Sequence, residues 1–418
     1  MAMADDNRIG PRSAIVVGAG IVGLSTAWFL QERGVSVTVV DRTGVAAGAS
    51  WGNAGWIAPA LSAPLNDPQT LRAVLRSLPN HAAPVRIPLS ADPTLWRFLM
   101  RFAVNCRESS WARAVQANLT LNHECMAAYD ALVSSGVDAP VTEAPITALF
   151  RNSVDAEHLL DQLKRLRDAG QPSSASELTG AALREQVPLA SSAVTVGVRI
   201  DGQRFVDPGR FVQALGRAVV ERGAALETVD VADVRTSRHG VAIHPHSGAA
   251  LTADVAVIAT GAWLPALASR WVRVPVQAGR GYSFTVPLER PVFGPIYLPD
   301  VRVACTPLSG KLRVTSVMEL RGPDVPASAG VVDAIVDSAG RFFDGVRWAD
   351  RDEAWVGPRP LSPDGRPLVG RVVENRIFVA GGHGMWGMKQ GPATGRLLAE
   401  QIVTGKQPAG LQDLNPSR

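Results

Sequence analysis

Ser13-Ala14-Ile15-Val16-Val17-Gly18-Ala19-Gly20-Ile21-Val22-Gly23 decides how the chain folds. Ala14 to Val17 is an unbroken apolar run, as a strand buried on both faces of a parallel sheet requires. Ile21 to Arg33 then reads as a helix that Gly34 stops, because glycine tolerates the positive φ of a helix end. A second apolar run, Val35 to Val40, ends on Asp41. In such a βαβ unit Gly18 permits the tight turn, Gly20 lets the backbone approach a pyrophosphate, and Gly23 lets helix pack closely on strand. The helix start at Ile21 and Val22 offers N–H groups to the anion, and Asp41 is placed to accept from a ribose hydroxyl. A nicotinamide or a flavin dinucleotide fits this unit equally well.

The 418 residues imply two domains, or one discontinuous domain with a large insertion. Apolar residues are 46% and charged residues 19%, enough for a sizeable core. The 42 basic and 38 acidic residues leave a net charge of +4 without a basic cluster, so no nucleic-acid partner is expected. Cys106, Cys125 and Cys305 are odd in number and scattered, which argues for a reducing compartment and against a disulfide framework or a metal site. Met1 to Asp6 carries no apolar signal core, and no apolar run reaches the roughly 18 residues of a membrane span. These features predict a cytoplasmic protein.

Further along, Ala46 to Pro59 is rich in small residues that let backbone lie against a ligand. Within it Gly48-Ala49-Ser50-Trp51-Gly52 matches the nucleophile elbow of serine hydrolases, but neither the strand before nor the helix after that an elbow needs is evident. Leu71 to Val133 is helical in pattern. There Leu95, Phe98, Leu99 and Phe102 form an apolar face opposite Arg97 and Arg101, which reads as core packing, with a basic face on anionic lipid as the alternative. Ser153 to Gly170 predicts a helix with Ser153 as cap, Gln171 to Ser176 a polar linker, and Asp207-Pro208 the start of a helix ending at Gly223. Short strands follow to Ala259, where Thr260-Gly261-Ala262-Trp263 lies at a strand's carboxyl end. Val274 to Trp348 reads as antiparallel strands of a second domain. Val356 to Gly365, with Arg359 between Pro358 and Pro360, reads as a rigid turn, and Gly381-Gly382-His383-Gly384-Met385-Trp386-Gly387 as a loop entering a helix around Ala393.

Taken in order, these stretches resemble the D-amino acid oxidase superfamily of flavoproteins, and most closely its FAD-dependent D-amino acid dehydrogenases. The resemblance also rests on Arg280-Gly281-Tyr282-Ser283 and on Arg313-Val314 to Glu319, and it covers nearly the whole chain. It implies a Rossmann-like, discontinuous α/β FAD-binding domain over residues 1–90, 190–265 and 355–418. A substrate domain on a largely antiparallel sheet would span 91–189 and 266–354. It implies non-covalent FAD, since Cys305 sits in a strand, with the pyrophosphate at Gly18 to Gly23, the ribose at Asp41 and Arg42, and the adenine near Val231. Thr260 and Gly261 would also touch FAD, and the flavin ring would lie between Ala49, Ser50, Asn53, Ala54 and Gly55 on one side and Gly382, Gly384 and Met385 on the other. Arg359 matches the arginine that grips the substrate carboxylate; His383, Tyr282 and Trp386 are the further candidates for substrate binding and positioning, and Trp51 and Trp56 for lining the pocket.

The implied reaction is oxidative deamination of a D-amino acid by hydride transfer from Cα to flavin N5, giving an imine and then a 2-oxo acid and ammonia. A D-proline or hydroxyproline dehydrogenase and a sarcosine- or glycine-type oxidase are alternatives within the class, and a serine hydrolase using Ser50 is the alternative outside it. The electron acceptor would be a quinone or oxygen. Contact of Trp96 to Phe102 with the inner face of the cell membrane would favour the quinone.

Overall fold

The computed structural model of the chain describes residues 10–77, 85–88, 90–352, 354–373 and 376–418; the acidic segment 1–6 and part of the helical stretch, 78–84, lie outside them. Five strands run parallel in the order Ala225–Thr228, Ser36–Asp41, Ser13–Val17, Val255–Ile258 and Ile377–Gly381, with Leu368–Val373 antiparallel at the edge. Side-chain alternation explains their unbroken apolar sequences. Val16, Val39, Val257 and Phe378 face a core shared with the helices Ile21–Glu32, Pro208–Glu221 and Gly387–Thr404. Their neighbours Ile15, Val40, Ile258 and Val379 face a second core under a meander of Val231–Ser237, Gly240–Pro245 and Leu251–Ala253. Each such buried aliphatic side chain contributes about 1.5–3 kcal/mol.

The second sheet has nine strands. From one edge Trp355–Leu361, Gln277–Pro287, Lys311–Leu320, Val303–Leu308 and Ile296–Leu298 pair antiparallel, and Ile146–Phe150, Val196–Asp201 and Ser174–Thr179 continue it. Among the described residues only the strand pairs containing Ile296/Thr147 and Met318/Val85 are parallel, so the sheet is largely antiparallel as expected. Helix Val331–Gly340, absent from the sequence reading, covers Tyr282, Phe284 and Val314 on one face.

Several local expectations need correction. The helix Ser153–Asp168 is capped by Asn152, whose side chain accepts from Asp155 N at 3.0 Å, not by Ser153. The second half of the expected linker, Ser174 to Ser176, belongs to an edge strand, Ser174–Thr179, whose outward residues are polar because one side meets water. Residues 357–360 lie in the strand Trp355–Leu361 and not in a turn; at a sheet edge the missing N–H of Pro358 and Pro360 costs no ladder bond on the open side. The last helix begins at Gly387, well before Ala393. The expected domain boundaries also shift: Leu121, Cys125, Tyr129 and Leu132 of helix Glu108–Ser134 pack into the core of the parallel sheet, while Val196–Asp201 belongs to the nine-stranded sheet.

That long helix has a second task. Pro392 sits inside helix Gly387–Thr404 and cannot donate to the carbonyl four residues back, on Met388. The buried Tyr129 hydroxyl donates to that oxygen at 2.8 Å and fills the gap. Next to it Lys389 is buried, with its Nζ donating to Ser62 Oγ and lying 4.6 Å from the centre of the Trp386 ring. Burial pushes its pKa down to about 7.

Two outcomes are expected. Tyr129→Phe leaves the Met388 carbonyl buried and unpaired and costs about 1–3 kcal/mol, read as a lower denaturation midpoint at unchanged slope; an unchanged midpoint would refute the role. For Lys389 the folded pKa lies below the unfolded one, so the unfolded chain binds the extra proton between about 7 and 10.5 and stability rises with pH across that window. Lys389→Met should therefore gain on the wild type at pH 7 and lose that advantage, on the order of a few kcal/mol at most, by pH 10. A difference that does not change with pH would sink this account.

Candidate active site

The carboxyl ends of the parallel strands open into a cleft of about 580 Å³. At its inner end Gly18 has φ +114°, and a Cβ there would lie 2.5 Å from Ala259 O. A Cβ on Gly23 would lie 1.9 Å from Gly18 O, so this glycine sets the helix-to-strand distance without itself lining the cleft. Gly20 faces Ser50, whose Oγ accepts from Ile21 N at 3.1 Å. Ser50 is thus committed to holding the loop against the helix start, with no histidine bonded to it, which removes the basis for a hydrolase reading. Asp41 accepts from Ala19 N at 2.9 Å and from Thr43 N and Gly44 N, tying the glycine turn to the second strand while lining the cleft.

Of the expected cofactor residues, Gly18, Gly20, Ile21, Val22, Asp41, Arg42, Ala49, Ser50, Asn53, Val231, Thr260, Gly261, Gly384 and Met385 line this one cleft. Ala54 and Gly55 do not: Ala54 O accepts from Thr306 Oγ1, and Gly55 packs against the Val206 carbonyl. Gly382 lies against Leu368 and lines a neighbouring cavity. Sequence reasoning missed Asp324 and the contact it makes with Trp263, a residue it had placed only at a strand's carboxyl end. Asp324 pairs with Arg42 at 2.8 Å and accepts from Trp263 Nε1 at 2.9 Å, while Arg42 stacks 4.4 Å from the Trp263 ring, so three distant segments meet across the cleft. No local pattern could have signalled a contact between positions 42 and 324.

At the other end Arg359 projects from the edge strand over Gly281, where a Cβ would lie 2.2 Å from its guanidinium carbon. Its Nη1 donates to Val317 O at 2.9 Å. Val317 is at φ +62°, unusual for a β-branched residue, and lies between Ser316 and Met318 where the pairing register slips, so backbone strain aims this carbonyl. No acidic side chain among the described residues pairs with Arg359, and burial pushes its pKa down to about 10, which leaves it cationic. His383 is buried, shares a 2.9 Å hydrogen bond between Nε2 and Thr394 Oγ1, and has its pKa pushed down to about 4 by burial, so its ring is neutral at physiological pH. Gly387 and Met388 bring the positive end of the last helix to the cleft.

Four aromatic candidates lie outside this cleft. Tyr282 is on the opposite face, donating to Glu319 at 2.8 Å and accepting from Ser328 N, and it does not line the cleft. Trp51 packs on Gly209, and Trp56 bonds Thr306 and meets Tyr297 edge-on. Trp386 lines the neighbouring apolar cavity. Cys305 is buried in the core that helix Val331–Gly340 covers, away from the cleft lining.

The cleft suits an extended dinucleotide. Thr260 Oγ1 is buried and unpartnered at its wall, Gly20 leaves the helix start clear of side chain, and acidic Asp41, Asp230 and Asp324 crowd one end with Arg359 at the other. Among the described residues no acidic, His or Cys cluster could hold a metal. Residues 13–401 match the family model DAO, FAD dependent oxidoreductase. The chain is 29% identical over 404 residues to a D-amino acid dehydrogenase of Methylobacterium radiotolerans, covering 94% of this chain and 96% of the relative. It is 30% identical over 422 residues to that of Vibrio vulnificus, covering 95% and 98%. Glycine oxidase from Geobacillus kaustophilus superposes with a TM-score of 0.74 at 23% identity over 97% of this chain and 98% of the other. With a family model spanning most of its length and a cleft whose walls fit the cofactor, the chain belongs to the FAD-dependent oxidoreductases of the DAO family.

Proposed function

We propose that the chain is a D-amino acid dehydrogenase that oxidises its substrate to an imine, which water converts to a 2-oxo acid and ammonia. The observation that carries this reading is Arg359, a guanidinium enclosed at the flavin end of the cleft with a carbonyl but no carboxylate for company. Bound FAD would supply the hydride acceptor for the substrate Cα–H, with a quinone or oxygen as the final two-electron acceptor. With Nη1 tied to Val317 O, Arg359 keeps Nε and Nη2 to grip a carboxylate in two parallel hydrogen bonds. A neutral His383 positions by hydrogen bonding and carries no charge to the site. The N-terminus of helix Gly387–Thr404 favours negative charge beside it. The acidic residues lining the cleft lie near Asp41, so proton abstraction by a carboxylate is no part of the mechanism; placement of the substrate is what the chain supplies.

The helix Pro93–Asn105 supports a quinone as acceptor. Trp96, Met100 and Val104, four residues apart, are 50%, 64% and 58% exposed, with exposed Arg97 and Arg101 beside them, a face that matches an anionic lipid surface. No described helix is long and apolar enough to cross a membrane, so contact would be peripheral.

Anaerobic addition of a D-amino acid should bleach the flavin band, and a flavin that no amine reduces would end the proposal. Arg359→Lys, and equally Gly281→Ala, which pushes a Cβ into the guanidinium, should raise the substrate concentration for half-maximal bleaching roughly 10- to 100-fold with the flavin spectrum intact. Unchanged concentrations would remove the carboxylate role. In flotation with anionic vesicles the wild type should rise with the lipid and Met100→Asp/Val104→Asp should stay behind; equal behaviour of the two would rule out this membrane face.

A further inference from the structure

Beside the cleft lies a second cavity of about 340 Å³, sharing His383, Gly384 and Met385 with it. Its walls come from three places: Leu65 and Leu71, then Phe98, Leu99 and Phe102 of helix Pro93–Asn105, then Met318 and Leu361 of the nine-stranded sheet. Among the described residues no Lys, Arg, Asp or Glu lines it. Its volume is about that of eleven waters in the liquid.

The connection to the cleft is built into one strand. Arg359 and Leu361 are two residues apart, so their side chains leave the same face of Trp355–Leu361. On the neighbouring strand Gly281 lies under the Arg359 guanidinium, and Gly279 lies under Leu361, whose Cδ1 is 2.6 Å from where a Cβ would be. The two glycines open a trough along which a cationic anchor in the cleft is followed at once by an apolar wall of the cavity. A molecule that puts its carboxylate on Arg359 has this apolar space within reach of the substituent on its Cα.

We infer that the cavity is the side-chain subsite, and that the enzyme acts on α-amino acids carrying a bulky uncharged apolar side chain, aromatic or branched aliphatic. This inference rests on the amino acid dehydrogenase reading above. The physical basis is asymmetric. Each methylene placed against such walls is worth about 10- to 200-fold in specificity, whereas a charged side chain finds no partner there and loses its hydration. Alanine leaves the space empty and forgoes the gain.

The test uses the FAD-loaded enzyme and the rate of anaerobic flavin reduction divided by the half-saturating concentration. D-phenylalanine and D-leucine should exceed D-alanine by about 100-fold or more, with D-glutamate and D-lysine below D-alanine. Leu99→Trp, and independently Thr70→Trp, fill the cavity from two different helices and touch neither Arg359 nor the glycine turn. Either should lower the value for D-phenylalanine at least 10-fold and leave D-alanine within about 3-fold. Comparable values for all five amino acids, or equal losses for all in both variants, would overturn the inference and leave the dehydrogenase reading standing. Variants that reduce normally but are slower to be reoxidised by a soluble quinone would also overturn it, by assigning the cavity to the acceptor. Failure of every D-amino acid to bleach the flavin would instead overturn the reading on which the inference rests.

Discussion

A half-buried arginine with no acidic partner among the described residues is the constraint on which the reactive end of this molecule depends. Burial of a guanidinium costs several kcal/mol unless a partner is near, and Val317 O supplies only part of the compensation. On the proposed reading, a substrate carboxylate would supply the remainder. Holding the guanidinium in place draws on other parts of the fold. The strained Val317, at a cost of about 1–3 kcal/mol, turns a carbonyl toward the cation, and Gly281 gives up its side chain so the guanidinium can lie flat.

The same economy explains how two very different sheets form one site. The parallel sheet presents loops at its strand ends, all at one rim, where the glycine turn, Thr260 and the start of the last helix converge. The antiparallel sheet presents a face, from which Arg359, Leu361 and Met318 project. Helix Gly387–Thr404 locks the arrangement, because its Pro392 demands an outside donor and Tyr129 of helix Glu108–Ser134 provides it. A segment that looks peripheral in sequence thereby holds the element whose N-terminus faces the reaction.

The nucleotide end was legible from sequence because its requirements are local. Gly18, Gly20 and Gly23 answer steric demands within a few residues of one another, and Asp41 follows at the end of the adjacent strand, so spacing alone carries the message. The reactive end was legible only in part. The resemblance picked out Arg359 and His383, yet the prolines around Arg359 read as a turn because no sequence pattern says that a strand lies at a sheet edge. Tyr282 was misplaced for a related reason: alternation on a strand fixes that neighbours face opposite ways, not which way the site lies. Asp324 was invisible, and so was its meeting with Arg42 and Trp263, since that is decided by how the two sheets dock.

That division has a chemical consequence. The acidic end of the cleft, Asp41 with Asp230 and Asp324, offers acceptors to hydroxyl and amino donors. At the other end charge is reduced to a single cation, a histidine held neutral by burial, and the partial charge of a helix terminus. Such a site leaves electron transfer to the cofactor and retains for the protein only the decision of which Cα is brought forward. On the proposed reading Arg359 fixes the carboxylate, and that decision would fall to the walls beyond Leu361. They are drawn from separate helices and sheets, and could change without disturbing the glycine turn that identifies the fold.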